Sequence, residues 1–580
     1  MVPTHKPKES KMKQTVLTMS ILFCLTTQCF SAEFNVSTGR QLFNALATAQ
    51  DNGEDDTITI APGIYEGEFK FITSEAKGLT ITSGGTLNEA ILDSGGVSRV
   101  FYFYADDIEA DFNAYGITFR NGKVSDSNGG GLFIKTKGNI DLDGNNFTQN
   151  IAANNLYYGG GLYCNVSTTG TINLSHNKIT KNSARYGGGI YLTSTLNCSI
   201  YLKNNTIEEN TSIYYGGLYA SLSSSNEIHI YNNRIANNYS SLYYGGLYVG
   251  TPSRDSIIRL KGNTVTGNST GRFGGGVSVY APVSEIIFSQ NIITNNIVRN
   301  NEAESLGAGV YIISAKTTTL LNNIVTENTN KYKSGGGIYI ESSDIINASN
   351  NLIAKNSALN GAGMYLSPNS TLNFINNTIT ENFATNNGGG IYLNTSNTQD
   401  TINIYNNIIW GNNATNEGDD IQLYGYGGTR NLFNNNYQQI TGEWDNKGNN
   451  INVASLFFSP EANDYHLQPT SQCINAGTDT APELPTTDLD GNARIGTVDI
   501  GAFEYNTTAM HPADTNQNWI IEESEFTEYN NIWKNRGLWD GSLIPINFMT
   551  RAGYIIESGG TYHNSGAGKP ICWTSGSGNK

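Results

Sequence analysis

From Gly129 onward, short apolar runs alternate with glycine and asparagine. A glycine cluster, an apolar residue and an aromatic recur, the aromatic place falling at Phe133, Tyr163, Tyr191, Tyr219, Tyr248, Tyr311, Tyr339, Tyr365 and Tyr392, with Ser278 as the exception. Successive places lie 26 to 33 residues apart. Between them sits Asn-x-apolar-x-x-Asn. Its first asparagines are Asn145, Asn177, Asn205, Asn233, Asn263, Asn291, Asn323, Asn351, Asn377 and Asn407, and the second stands five residues on in every copy, from Asn150 to Asn412. Within a run the pattern has period two: Ile190 and Leu192 point one way and Tyr191 the other. Runs are three to five residues long, their corners hold Asn or Gly, which tolerate left-handed backbone, and no repeat shows a helical period. Three short strands per turn, stacked about 4.8 Å apart, predict a parallel β-helix whose corner asparagines bond from coil to coil as scaffold.

This pattern resembles the right-handed parallel β-helix, or pectin-lyase-like, repeat family over about residues 33–505. The resemblance implies an all-β right-handed parallel β-helix solenoid. Its hand follows from the family and from the general hand of parallel crossovers. A solenoid needs capped ends. Residues 39–50 carry apolar residues at 42, 43, 45, 46, 47 and 49 and predict a short α-helical N-cap. Residues 465–477 and 488–504 resemble the closing segment of bacterial β-helix proteins of the choice-of-anchor class. Asp488, Asp490, Asn492 and Asp499 have the spacing of calcium ligands, but a structural turn with Arg494 paired to a carboxylate is the preferred reading. The expected organisation is residues 1–31 signal peptide, 32–128 N-terminal cap and first coils, 129–412 ten repeats, 413–505 last coils and C-terminal cap, and 506–580 a small C-terminal module.

Charge and composition narrow the function. The net charge is −16, which disfavours nucleic acid, and only 14% of residues are charged. Residues 11–31, with two lysines, an apolar run from Val16 to Leu25 and Cys-Phe-Ser, read as a secretory signal cleaved near Ser31 or Ala32. No later segment is apolar enough to span a bilayer, so the mature chain is expected to be secreted or on the cell surface. The six cysteines form no C-x-x-C pair; Cys164, Cys198, Cys473 and Cys572 are expected as single buried thiols, with a Cys164–Cys198 bridge left open.

Composition changes after Tyr505. In residues 514–525, oxygen ligands stand at places 1, 3, 5, 9 and 12: Asp514, Asn516, Asn518, Glu522 and Glu525, with the Ile520 carbonyl at place 7. The loop resembles an EF-hand or dockerin-type calcium loop, which implies calcium as cofactor and a docking partner for the module. It departs from that pattern in having Trp519 where glycine is usual and in being single. The alternative is an acidic helix cap.

Enzymes of the resembled fold cleave acidic polysaccharides with an arginine base beside calcium-binding carboxylates, or with an aspartate cluster plus His and Arg-x-Lys. None of the six histidines lies in Gly-His-Gly, and no Asn-Thr-Asp, Arg-Ile-Lys or Arg-x-Pro-x-x-Arg occurs. Asp141 and Asp143 share a strand face; Asp419 and Asp420 face opposite ways. No catalytic residue is assigned. Two aromatic lines remain: Tyr163, Tyr191, Tyr219 and Tyr248, continuing from Tyr311 to Tyr392, and Tyr158, Tyr186, Tyr214, Tyr243 and Phe273, found only in the first half. Flanking the glycines across a shallow groove, they suit stacking on sugar rings. The expectation is a non-catalytic β-helix binding polysaccharide or cell-surface glycan. The alternatives are a polysaccharide lyase or glycoside hydrolase with an unfamiliar site, and a purely structural surface component.

Overall fold

The computed structural model describes residues 31–153, 157–166, 170–195, 198–223, 227–251, 256–299, 305–395, 400–505, 511–516, 518–535, 538–539, 542–544, 546–564 and 573–575. The expected signal peptide, apart from Ser31, and Cys572 lie outside them. Period-two patterning produces the coils. One coil comprises Ile190–Ser194, Ser199–Lys203, Thr206–Glu208 and Thr211–Tyr214. The expectation of three strands per turn is corrected to four, because the second corner asparagine turns the chain once more before the glycine cluster. The coil-to-coil pairings among the described residues are parallel and mostly in register, as in Ile190↔Leu218 and Tyr191↔Tyr219, with shifts at a few places such as between Ser212 and Tyr214. The first two runs merge into a 28-stranded sheet, and the third and fourth runs build sheets of 14 and 11 strands. Fourteen strands at ~4.8 Å spacing give a shaft of about 60 Å.

Inward positions form one continuous core: Ile190, Leu192, Ile200, Leu202 and Ile207 are buried in a single coil. Near the N-terminal end the core turns aromatic, with Phe71 stacked on Phe103 at 5.3 Å and Phe119 on Phe147 at 5.0 Å. Cys164, Cys198 and Cys473 are buried free thiols, so the Cys164–Cys198 bridge is not formed.

Both asparagine series are ladders. Asn233 shows the pattern: its amide nitrogen donates to the Leu202 carbonyl and to Asn263 Oδ1, both at 3.0 Å, and its Oδ1 accepts from the backbone and side-chain nitrogens of Asn205 at 2.9 and 3.0 Å. One ladder runs on through Asn435 to Asn450. The other ends on Asp420, whose Oδ1 takes the Asn412 amide and whose Oδ2 takes the backbone of Gln438 and Gln439. The ladder explains the glycines. A Cβ at Gly189 would meet the Gly217 carbonyl at 2.6 Å and the Asn210 amide at 3.0 Å, so the buried asparagine lies where a side chain would otherwise stand.

Helix α1 (Gly39–Ala49) is capped by Thr38, whose hydroxyl accepts from the Gln41 backbone, and buries Leu42, Ala45, Leu46 and Ala49 over the first coil. At the other end Tyr437, Ile440 and Trp444 pack against the core. Past Asn446–Gly448, the last strand of the large sheet, the chain turns back along the outside. This strap clasps outward asparagines that precede the ladder residues. Asn376 donates to the Asp499 and Gly501 carbonyls, Asn350 to Thr487 and Asn406 to Thr478. The strap is itself fixed by the buried Arg494–Glu504 pair at 2.9 Å. Asp488 and Asp499 accept backbone N–H groups, as the structural-turn reading expects.

The C-terminal module has its own core of Ala513, Ile521, Tyr529, Ile544, Met549, Ala552, Ile555 and Tyr562, built on α2 (Glu523–Lys534) and α3 (Ile546–Glu557). Among the described residues no helix is long and apolar enough to cross a membrane.

Candidate functional site

Strand alternation turns the tyrosines outward and in-register pairing stacks them. Tyr102, Phe133, Tyr163, Tyr191, Tyr219 and Tyr248 form one column with ring centroids 4.4–5.8 Å apart. Tyr158, Tyr186, Tyr214, Tyr243 and Phe273 form the second, at 4.8–5.5 Å. The columns join where Ser278 interrupts the first, since Phe273 stacks on Tyr311 at 5.4 Å and Tyr311 leads on through Tyr339 and Tyr365 to Tyr392. All nine expected strip residues are therefore brought together.

Two features differ from the expectation. The columns touch, with Tyr158 at 4.5 Å from Tyr191, so the groove over the glycines is closed to a tiled surface. Ring planes within a column lie mostly within 30° of parallel, so each ring's faces are largely taken by its neighbours and the edges are left for a ligand. Burial raises the hydroxyl pKa of Tyr191 and Tyr248.

Sequence reasoning missed Tyr215 and Tyr244. They stand at the first glycine place of their clusters, where Gly187 has φ 64°, and they adopt the same left-handed backbone at φ 65° and 60°. This region is costly for a bulky residue. Their rings stack on each other at 5.4 Å and fill the surface between the columns, Tyr215 lying 4.4 Å from Tyr219 and Tyr244 lying 4.8 Å from Tyr248. The signal was legible as Tyr-Tyr-Gly-Gly in two consecutive repeats. Arg185 lies over Tyr186 and Tyr214, and Arg272 over Tyr243.

At the N-terminal end of the columns lies a cleft of ≈ 550 Å³ lined by Lys70, Arg99, Tyr102, Asp126, Phe133 and Tyr157, among others. Buried Arg99 lies over Tyr102 and Phe133 and donates to the Asn128 and Gly129 carbonyls and to Ser127, which fixes the rim. Lys70 pairs with Glu68 at 3.0 Å and is half-exposed.

Among the described residues two histidine–carboxylate clusters stand elsewhere on the shaft, one of them His176 with Asp143 at 2.8 Å. His229 bonds Glu227 through Nε2 at 2.8 Å and the Tyr231 hydroxyl through Nδ1 at 2.5 Å, and stacks on Tyr201 at 4.8 Å. Both ring nitrogens are thus engaged within one strand. Asp141 accepts from Tyr115 and Asp143 from Ser175, as befits a surface pair, and Asp420 is the ladder terminus.

In the C-terminal loop Asp514 and Glu525 lie close enough for their charges to interact. Asp514 and Glu525 are buried; Asp514 accepts from the Asn518 backbone and the Tyr562 hydroxyl, and Glu525 from the backbones of Thr515, Asn516 and Glu522. Glu522 and Glu525 also close a capping box on α2, as the helix-cap alternative expects. Trp519 takes the left-handed conformation, φ 56°, that the glycine of such loops supplies. Burial, with help from the Glu525 charge, pushes Asp514 up to about 6. Asn518 donates its amide to Glu522 and accepts the Ile520 N–H on Oδ1. Among the described residues no group of three or more His, Cys, Asp or Glu is placed to hold a metal.

No curated protein matches the chain. Residues 108–293 and 285–438 match the family described as the right-handed β-helix region, more than half of the sequence, and the chain belongs to that family.

Proposed function

We propose that the protein is exported to the medium or cell surface and binds polysaccharide or cell-surface glycan without catalysis. The observation that carries this reading is the restriction of the second aromatic column to five successive coils. Beyond Phe273 its place holds Leu306, Ser334, Asn360 and Asn387, although the coils continue. A column serving the shaft alone would be expected along its whole length. Tyrosine edges and hydroxyls, with Arg185 and Arg272 beside them, offer hydrogen bonds to sugar hydroxyls. Export rests on the charged-then-apolar N-terminal pattern. The test is a glycan array run on the purified protein, together with assay of unsaturated-product release from acidic polysaccharides. Binding without turnover supports this reading. Turnover favours a lyase or hydrolase, and neither result leaves a structural surface component.

We further infer that the 514–525 loop takes calcium, which would relieve the repulsion between Asp514 and Glu525 and stiffen the module as a docking element. Calcium added to the whole protein is expected to change Trp519 fluorescence with weak affinity, about 10⁻⁴–10⁻³ M as in extracellular modules, and Glu525→Gln should abolish the change. No response in the wild-type protein would remove the site.

A further inference from the structure

We propose that the cleft at the head of the columns is the subsite that takes the terminal sugar of a neutral glycan, with Asp126 and Lys70 as its polar handles; this rests on the glycan-binding reading above. The stacking geometry leads to it. Along the columns each ring covers the next, so a column presents a ring to a ligand differently only where it ends. The second column ends upward at Tyr158. In the coil above, Asn128 occupies its place and accepts the Tyr158 N–H at 3.1 Å. Asn128 is also a wall of the cleft, with Phe133 and Tyr102 of the first column and Tyr157 beside them. The cleft therefore lies where both aromatic columns begin.

Its polar groups divide into spent and available ones. Arg99 is committed to the 127–129 rim and to Glu68, so it shapes the cleft and is not offered to a ligand. Asp126 is exposed, and among the described residues its carboxylate accepts no hydrogen bond. A carboxylate is acceptor-only and takes two hydroxyl protons at once, which suits the vicinal diol of a sugar end. Lys70 has three donors, and its salt bridge to Glu68 leaves others for a hydroxyl or ring oxygen. Aromatic walls supply the apolar contact for C–H faces. Glu68 and Asp126 offset Lys70 and Arg99, and the whole chain carries −16. A uronate or sulfated sugar would meet no net attraction here, and a neutral hexose end needs none.

Affinity electrophoresis of the full chain through gels holding hydroxyethyl cellulose, glucomannan, xylan or polygalacturonate tests this. The wild type is expected to be retarded in at least one neutral gel. Asp126→Asn, an exposed substitution that leaves the columns intact, should weaken that retardation about tenfold, as loss of a charged hydrogen bond does. Lys70→Met should weaken it less, and unfolding curves of both variants should match the wild type. If Asp126→Asn is retarded like the wild type while Tyr186→Ala with Tyr214→Ala is not, the cleft subsite falls and the column reading stands. Retardation only by polygalacturonate overturns the neutral-sugar assignment. Retardation in no gel removes both readings.

Discussion

Replacing Asn233 by alanine in mid-shaft should strip the ladder at one rung. The side chain is 2% exposed, so water does not replace what is lost. The Leu202 carbonyl loses its donor, and the backbone and side-chain nitrogens of Asn205 lose the Oδ1 they share. Asn263 Oδ1 keeps the Asn233 backbone N–H at 3.0 Å, so it is not orphaned. The Asn205 amide keeps the Leu174 carbonyl at 2.8 Å, so two buried groups, the Leu202 carbonyl and the Asn205 backbone N–H, lose this partner at roughly 1–3 kcal/mol each, which makes about 2 kcal/mol the expected floor. That is a large part of a typical domain's total stability of about 5–15 kcal/mol. A matched control exists on the outer face, where Asn373 donates to Asn347 at 2.9 Å and accepts from Asn403 but is half-exposed. Its alanine variant should stay within about 0.5 kcal/mol of wild type. Because a coil touches only its neighbours, the loss should appear in amide hydrogen exchange around residues 205 and 263 before it appears globally. Equal denaturation shifts for the two variants, or unchanged exchange at Asn205, would mean that the ladder does not stabilise the shaft.

Gly189→Ala should destabilise by about 1–3 kcal/mol, since its Cβ meets backbone at 2.6 Å, whereas Gly39→Ala at the start of α1 should be tolerated; thermal unfolding of the pair checks this. Stability should fall as pH rises from about 4 to 7. Burial raises Asp420 from 3.8 to about 6 and Asp499 to about 7, so the folded state holds protons that the unfolded state has released. Asp420 alone contributes about 3 kcal/mol to that fall, and urea midpoints that rise across the window would contradict it.

The shaft was legible because a parallel β-helix demands the same residue at the same place in every coil. Asn-x-apolar-x-x-Asn therefore announced the ladders, and the glycine cluster marked the surface against which they lie. The fourth strand was not legible: Thr211–Tyr214 is too short to show a period of its own. The returning strap was hidden for another reason. Pairs such as Asn376-Asn377 read as one corner, yet Asn377 points into the ladder and Asn376 out to the strap. Asp420 looked like half of an acidic pair, and only its place beneath Asn412 makes it a ladder end. The aromatic columns could be read from spacing. Ring orientation could not, because it depends on rotamers set by the coil above, and the cleft draws Lys70, Arg99 and Asp126 from coils that lack the repeat.

On the proposed function, the N-terminal half of the aromatic surface meets a glycan. The most direct test compares two double variants on whichever neutral polysaccharide retards the wild-type protein in affinity gels. Tyr186→Ala with Tyr214→Ala should lose retardation while circular dichroism still shows the β-helix, and Tyr339→Ala with Tyr365→Ala should keep it. If both pairs lower the melting temperature alike and neither alters retardation, the columns are scaffold and the glycan account is wrong.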